Sequence, residues 1–138
     1  LNDIEKGVGL SKEYNAFELS NALGKGDKTK AFQIANYFVA NPKNGPLVVV
    51  LGALHTYFSK IYFTHQNKNV LDKDLAPMLK VNPFFVKDYK AAARNYSELK
   101  LEQIFYLLEE YDLRVKGVNN HQVKEGELLR ELVVRILN

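Results

Sequence analysis

The chain has 138 residues, of which 46% are apolar and 25% charged, and it contains no cysteine. This length and balance predict one compact domain with a buried core and exclude an intrinsically disordered composition. The lack of cysteine excludes disulfides, thiolate metal sites and cysteine nucleophiles, and it suits a cytoplasmic protein. The formal net charge of +3 permits contact with nucleic acid but does not indicate it.

The first residues predict a short helix of their own. Asn2 and Glu5 have the spacing of a capping box, and Gly7 and Gly9 end the pattern. A connector at 11–15 then separates this helix from the main body. Because the chain shows no signal-peptide pattern and does not begin with Met, we expect it to be a piece of a longer protein.

Every later element has a helical period, because its apolar residues recur at steps of three and four. Helices are predicted at 17–23, 27–40, 46–65, 72–79, 83–96, 97–116 and 125–137, with loops at 66–69 and 118–124. The β-branched run at 48–50 continues into a helical stripe and so does not predict a strand. We therefore predict an all-α bundle of about seven to eight helices.

Capping residues mark several helix boundaries. Asp27 and Ser97 each precede an apolar stripe and predict N-caps. Asn82 followed by Pro83 predicts another start, because proline at the first helical position sacrifices no hydrogen bond. We expect Phe85 to lie on the buried face of the helix that starts there.

The most apolar stretch runs from Leu47 to Phe63. It contains a histidine, a lysine and hydroxyl side chains, and its uninterrupted apolar part is shorter than the roughly 18–20 residues that cross a bilayer. We predict a buried central helix and no membrane partner.

The segment Gly24–Thr29 carries the glycines and lysine of a phosphate-binding loop. It lacks the preceding strand and the Gly-Lys-Ser/Thr opening of a helix, and Asp27 would place a negative charge beside the phosphate. The segment therefore predicts a helix end followed by a helix cap.

The three histidines do not have the spacing of a metal site. We expect His55 to be partly buried, and His65 and His121 to be solvated. No cofactor or metal is predicted.

A group of carboxylates at Glu109, Glu110 and Asp112 is the remaining candidate for acid–base chemistry. Asp112 and Lys116, however, have the i,i+4 spacing of an exposed ion pair, which favours a solvated helix face. We predict no catalytic residue in this chain.

Residues 72–96 suggest an alternative function. A short helix, a tight turn and a second helix resemble a helix-turn-helix, a nucleic-acid-binding unit. Basic side chains are present at Lys80, Lys87, Lys90 and Arg94. A recognition helix needs polar side chains at its start to reach base edges, whereas this one begins with proline and two phenylalanines. Nucleic-acid binding is therefore the second hypothesis.

Five segments, in order along the chain, carry a resemblance to a known family. They are Phe17–Leu23, Gly26–Ala31, Asn82–Val86, Ala93–Ser97 and Tyr111–Gly117. Each is unspecific alone, but the ordered set resembles the C-terminal domain of the delta subunit of bacterial DNA polymerase III, part of the sliding-clamp loader. The resemblance covers nearly the whole chain.

The resemblance implies that 1–14 is the end of a preceding lid domain with its connector, and that 15–138 is a helical collar domain for oligomerisation. It implies a non-catalytic role in loading the sliding clamp onto primed DNA during replication. The implied partners are the ATP-hydrolysing subunits and delta prime, reached through the collar. The sliding clamp is reached through N-terminal domains outside this chain.

Four aromatic residues are the candidate anchors for contacts with neighbouring subunits, namely Tyr57, Tyr62, Phe84 and Tyr106. Aromatic side chains are enriched in protein interfaces. The alternative for each is that it fills the core of this domain.

In the family, primed DNA passes beneath the collar, so the loop at 117–125 is a candidate for DNA contact through Asn119 and Asn120. The loop has no aromatic residue on which a base could stack. We therefore expect any contact with DNA to be weak.

Overall fold

The computed structural model describes residues 13–117 and 124–138. These two ranges form seven α-helices and one 3-10 turn, without a strand. The elements are α1 (Ala16–Lys25), α2 (Lys28–Ala40), α3 (Leu47–Gln66), α4 (Asp72–Leu79), the 3-10 turn Pro83–Phe85, α5 (Val86–Asn95), α6 (Glu98–Val115) and α7 (Glu125–Leu137). The predicted all-α bundle is confirmed. The predicted first helix lies outside the described residues.

Helix α3 is the centre of the bundle and packs against α1, α5 and α6. Its residues Leu54, Phe58 and Ile61 are fully buried, at the spacing of one helix face. Helices α2 and α7 pair with each other, and α6 contacts both α3 and α7. By length and composition α3 could cross a bilayer, but a core helix meets the same criteria, and here protein covers its apolar stripe.

The predicted N-caps are confirmed at α2 and α6. The Asp27 carboxylate accepts the backbone N–H of Lys30 at 3.0 Å. The Ser97 hydroxyl accepts the backbone N–H of Lys100, also at 3.0 Å. Each cap satisfies one of the N–H groups that have no partner in the first turn of a helix.

Helix α3 is capped from the far end of the chain. It follows Pro46 and has no side-chain cap of its own. Instead, Glu125 Oε1 accepts the backbone N–H of Leu47 at 2.8 Å, across 78 positions in the sequence. A carboxylate at this place also interacts favourably with the positive end of the helix dipole.

The segment predicted as one helix at 83–96 consists of two elements. Asn82 Oδ1 accepts the N–H of Phe84 at 2.8 Å and starts a 3-10 turn, and α5 begins only at Val86. A 3-10 turn has about three residues per turn instead of 3.6, so it changes the phase of the side-chain pattern. As a result Phe85 is 41% exposed, and its predicted place on the buried face is wrong.

The end of α5 holds the end of α1. Asn95 Nδ2 donates to the carbonyl oxygen of Gly24 at 2.8 Å, and the buried Tyr96 hydroxyl donates to that of Leu23. Carbonyl groups in the last turn of a helix lack intrahelical donors, and Asn95 supplies one to Gly24, whereas the carbonyl oxygen of Leu23 also accepts the N–H of Gly26 at 3.1 Å. The two hydrogen bonds join parts of the chain more than 70 residues apart.

Replacing Tyr96 by phenylalanine is expected to lower the free energy of unfolding by about 1 kcal/mol at neutral pH, because one buried hydrogen bond is lost. Burial raises the pKa of Tyr96 to about 12. A raised folded-state pKa means that the contribution is complete below the unfolded value of about 10 and is lost as pH rises from there through about 12. Urea unfolding of both proteins from pH 7 to pH 12 should therefore show the difference shrinking above pH 10. A difference that stays constant with pH would contradict this account.

Candidate subunit interface

Tyr106 is the most exposed of the four predicted anchors. Its side chain is 75% exposed and lies between two grooves, one between α3 and α6 and one between α6 and α7. The first of these, which we call the α3–α6 face, is lined by Val48, Gly52, His55, Phe105 and Tyr106, among others. An aromatic ring that stands between two grooves is accessible to a partner from both sides.

Tyr62 lies beside the α3–α6 face, where it contacts α6. Its half-buried ring packs edge-on against Phe105, with 5.9 Å between the ring centroids. Its hydroxyl lies 3.4 Å from Glu102 Oε2 on α6. Tyr62 therefore supports the position of Phe105 and of α6.

Two further apolar residues accompany Tyr106 on α6. Leu99 is 66% exposed and Leu113 is 47% exposed, each seven residues from Tyr106. Neither was predicted from the sequence, because the prediction followed the inward stripe of this helix and considered only aromatic anchors. The seven-residue spacing was the signal that could have found them.

Tyr57 is packed mainly inside the domain. Its ring centroid lies 5.4 Å from that of Phe58 and 5.6 Å from that of Tyr89, and burial raises its pKa. The ring also lies against α1, since a Cβ atom at Gly24 would come within 1.8 Å of the Tyr57 hydroxyl. A residue larger than glycine at position 24 would displace Tyr57.

The remaining exposed part of Tyr57 lines a second groove, between α1, α3 and α5. This α1–α5 groove encloses about 660 Å³, and its lining includes Phe17, Tyr57, Lys60, Phe85 and Asn95. Phe17 is 58% exposed here, although its spacing in the sequence groups it with the other apolar residues of α1. Exposed aromatic rings at the rim make this groove a second candidate contact surface.

Phe84 lies next to the α1–α5 groove on the 3-10 turn. It is 69% exposed, and its ring contacts that of Phe85 edge-on at 5.5 Å. Lys87 Nζ lies 5.4 Å from the Phe84 ring centroid. The four predicted anchors thus divide between two surfaces, with Tyr62 and Tyr106 at one and Tyr57 and Phe84 at the other.

A polar cluster around Tyr111 holds α7 against α6. The Tyr111 hydroxyl donates to Glu131 Oε2, and Arg114 Nη1 donates to the same oxygen at 2.7 Å. These two hydrogen bonds hold the pKa of Glu131 below its usual value. Arg135 Nη1 donates to Glu110 Oε2 at 3.0 Å, and the guanidinium groups of Arg114 and Arg135 lie 4.9 Å and 5.6 Å from the Tyr111 ring centroid.

The segment that resembles a phosphate loop is a helix junction. Gly26 ends α1 with a φ of +70°, which favours glycine, and Asp27 caps α2. The predicted helix end and cap are confirmed.

The histidines are placed differently from the expectation. His55 is exposed, with its ring 5.5 Å from that of Phe105, whereas His65 is mostly buried, with Nδ1 3.8 Å from Glu98 Oε1. The reason is that His65 follows Ile61 by four positions and so continues the buried stripe of α3. His121 lies outside the described residues. In the described ranges no group of three or more His, Cys, Asp or Glu side chains could hold a metal ion.

The predicted ion pair between Asp112 and Lys116 is confirmed, with Oδ2 and Nζ 2.7 Å apart. The proposed DNA contacts Asn119 and Asn120 lie outside the described residues, so they remain predictions. The described carboxylates of α6 are partnered by cations or face solvent.

Comparison with known proteins defines the class. Residues 13–134 match the family described as "DNA polymerase III delta subunit, C-terminal domain". The chain therefore belongs to this family, and the resemblance seen in the sequence is confirmed.

Two relatives make the placement more specific. DNA polymerase III subunit delta of Bacillus subtilis (strain 168) is 31% identical over 136 residues, which are 96% of this chain and 37% of that protein. The solved structure of the Bacillus subtilis DNA clamp loader delta protein (YqeN) superimposes with a TM-score of 0.71 and 27% identity, over 99% of this chain and 39% of that one. The chain thus spans less than two fifths of the length of either relative.

Proposed function

We propose that this chain is the collar domain of a clamp-loader delta subunit and joins that subunit to its neighbours without catalysing a reaction. The observation that carries the proposal is the pair of exposed aromatic surfaces on one well-packed helical domain, marked by Tyr106 and Phe84. A member of a ring of different subunits contacts two neighbours through two different surfaces. The two aromatic surfaces would provide one contact surface for each of the two neighbouring subunits.

We further propose that the collar domain comprises 15–138 and that 1–14 is the end of a preceding lid domain. The family match, which begins at residue 13, supports this boundary. Residues 1–12 lie outside the described part of the chain. The partners reached through the collar are the ATP-hydrolysing subunits and delta prime, and the protein acts in the cytoplasm, where the chromosome is replicated.

The proposed role in clamp loading is mechanical. A collar that stays closed fixes the positions of the ATPase modules, so their rearrangements reach the sliding clamp instead of separating the subunits. Such contacts need to bury more than about 1,000 Å². Residues of the central helix α3 line the grooves at both surfaces, so one helix supports both of them.

Alanine replacement of the four anchors, followed by co-purification with the other loader subunits, tests the proposal. We expect Phe84→Ala and Tyr106→Ala each to weaken association about tenfold or more, because exposed aromatic anchors contribute much of the energy of an interface. Tyr57→Ala and Tyr62→Ala should act partly through the stability of this domain, since both rings pack internally.

The matched control is Leu71→Ala, because Leu71 is 61% exposed and belongs to neither surface. It should associate like the unaltered protein. Unaltered association by all four aromatic variants would remove the assignment of these residues. Failure of the unaltered protein to associate would remove the proposed function itself.

A further inference from the structure

The exposed stripe on α6 has the geometry of a helix-binding surface. Leu99, Tyr106 and Leu113 recur every seven residues and are 66%, 75% and 47% exposed. At 1.5 Å per residue the stripe is about 21 Å long, which is most of the length of the 18-residue helix α6. Leu99, Tyr106 and Leu113 thus hold one of the two contact positions of a helix-packing heptad, and the other, three residues further on, is Glu102 and Glu109.

The two sides of this stripe differ in charge. On the side of α3 lie Glu102 and Glu109, also seven residues apart. Glu102 contacts the Tyr62 hydroxyl at 3.4 Å, and neither glutamate makes an ion pair within the described ranges. This side therefore carries negative charge that the domain itself does not neutralise.

The side that faces α7 is already neutralised. Arg114 pairs with Glu131 at 2.7 Å, and Arg135 pairs with Glu110 at 3.0 Å. The helix as a whole has five acidic and two basic residues between Glu98 and Val115, in a chain whose net charge is +3. A partner gains electrostatic attraction only along the α3 side of the stripe.

We propose that α6 binds one amphipathic helix of a neighbouring loader subunit, with an apolar seven-residue repeat bordered by Lys or Arg on the side that faces α3. This inference rests on the proposed function and specifies the partner at one of its two surfaces. A second copy of this chain docking through the same face would bring acidic stripes together, and DNA has the same sign of charge as the glutamates, so both are poor occupants. Basic side chains at the edge of an apolar helix seam would pair with Glu102 and Glu109.

The experiment measures the affinity of the purified protein for its purified neighbouring subunits, the ATP-hydrolysing subunits and delta prime, at about 50 mM and about 500 mM salt. The double variant E102K/E109K is expected to bind at least tenfold more weakly at low salt, with a much smaller loss at high salt. L99A and L113A are expected to weaken binding at both salt concentrations. The matched control is D74K, an exposed acidic residue on α4 that belongs to neither surface.

The possible outcomes distinguish a failure of the α6 assignment from a failure of the proposed collar function. If E102K/E109K, L99A and L113A all bind like the unaltered protein while the unaltered protein still associates, the α6 assignment is overturned and the collar role stands. If the unaltered protein does not bind the other subunits, the collar role fails as well. If light scattering shows self-association that the α6 variants abolish, a second copy is the occupant and the inference is overturned.

Discussion

Tyr111→Ala is expected to lower the free energy of unfolding by about 3–5 kcal/mol, the range for removing a large aromatic side chain from a core. Tyr111 is fully buried, lies between two guanidinium groups and donates to Glu131. Removing the ring leaves a cavity and takes a donor from Glu131. Because a domain of this size is stable by only about 5–15 kcal/mol, the loss would be a large part of the total.

Chemical denaturation of purified variants measures this loss of stability. Two further variants show how much of it comes from the hydroxyl group and how much depends on burial. Tyr111→Phe keeps the ring and removes the hydroxyl, so it should cost about 1–3 kcal/mol. Tyr106→Ala is the matched control, since it removes the same residue type from the same helix at a position that is 75% exposed. Its effect on stability should stay within about 0.5 kcal/mol. Equal losses at positions 106 and 111 would contradict the described burial.

Gly126→Ala is expected to destabilise the fold by about 1–3 kcal/mol through overpacking. A Cβ atom at this position would lie 2.6 Å from Val39 Cα, a backbone atom of α2 that cannot rotate away. Relieving the clash requires α7 to move from α2. That movement would also pull Glu125 from the N–H of Leu47.

Gly52→Ala is the matched control for this prediction. A Cβ atom at Gly52 would meet nothing within 4 Å, and the position lies in the interior of α3. Alanine there should stabilise the helix by about 0.5–1 kcal/mol, since glycine is the poorer helix former. Urea unfolding should therefore show opposite signs for the two substitutions, and the same sign for both would contradict the close approach at Gly126.

Local signals predicted most of the helices. Asp27 and Ser97 were identifiable as caps because a cap bonds to an amide three residues away, within reach of any short window of sequence. The partner that caps α3 was not identifiable, because Glu125 and Leu47 are distant in the sequence and meet only through tertiary packing. The same holds for Tyr111 and Glu131, which lie on different helices.

Two predictions placed a residue on the wrong face of a helix. Phe85 was placed inward because the sequence does not show that a 3-10 turn precedes α5. His65 was expected in solvent, although its position after Phe58 and Ile61 placed it on the buried stripe. Residue type suggested Tyr106 as a candidate anchor. Only the folded domain shows that Tyr106 is exposed while its neighbour Phe105 is partly buried.

The hydrogen bond between Glu125 and Leu47 limits where this domain can be cut. The last helix supplies the cap of the central helix and packs against α2, so truncation before residue 125 would leave α3 uncapped and the apolar face of α2 open to water. The C-terminal helix is therefore needed for cooperative folding. A shortened version for binding studies should retain α7 and remove residues only ahead of α1.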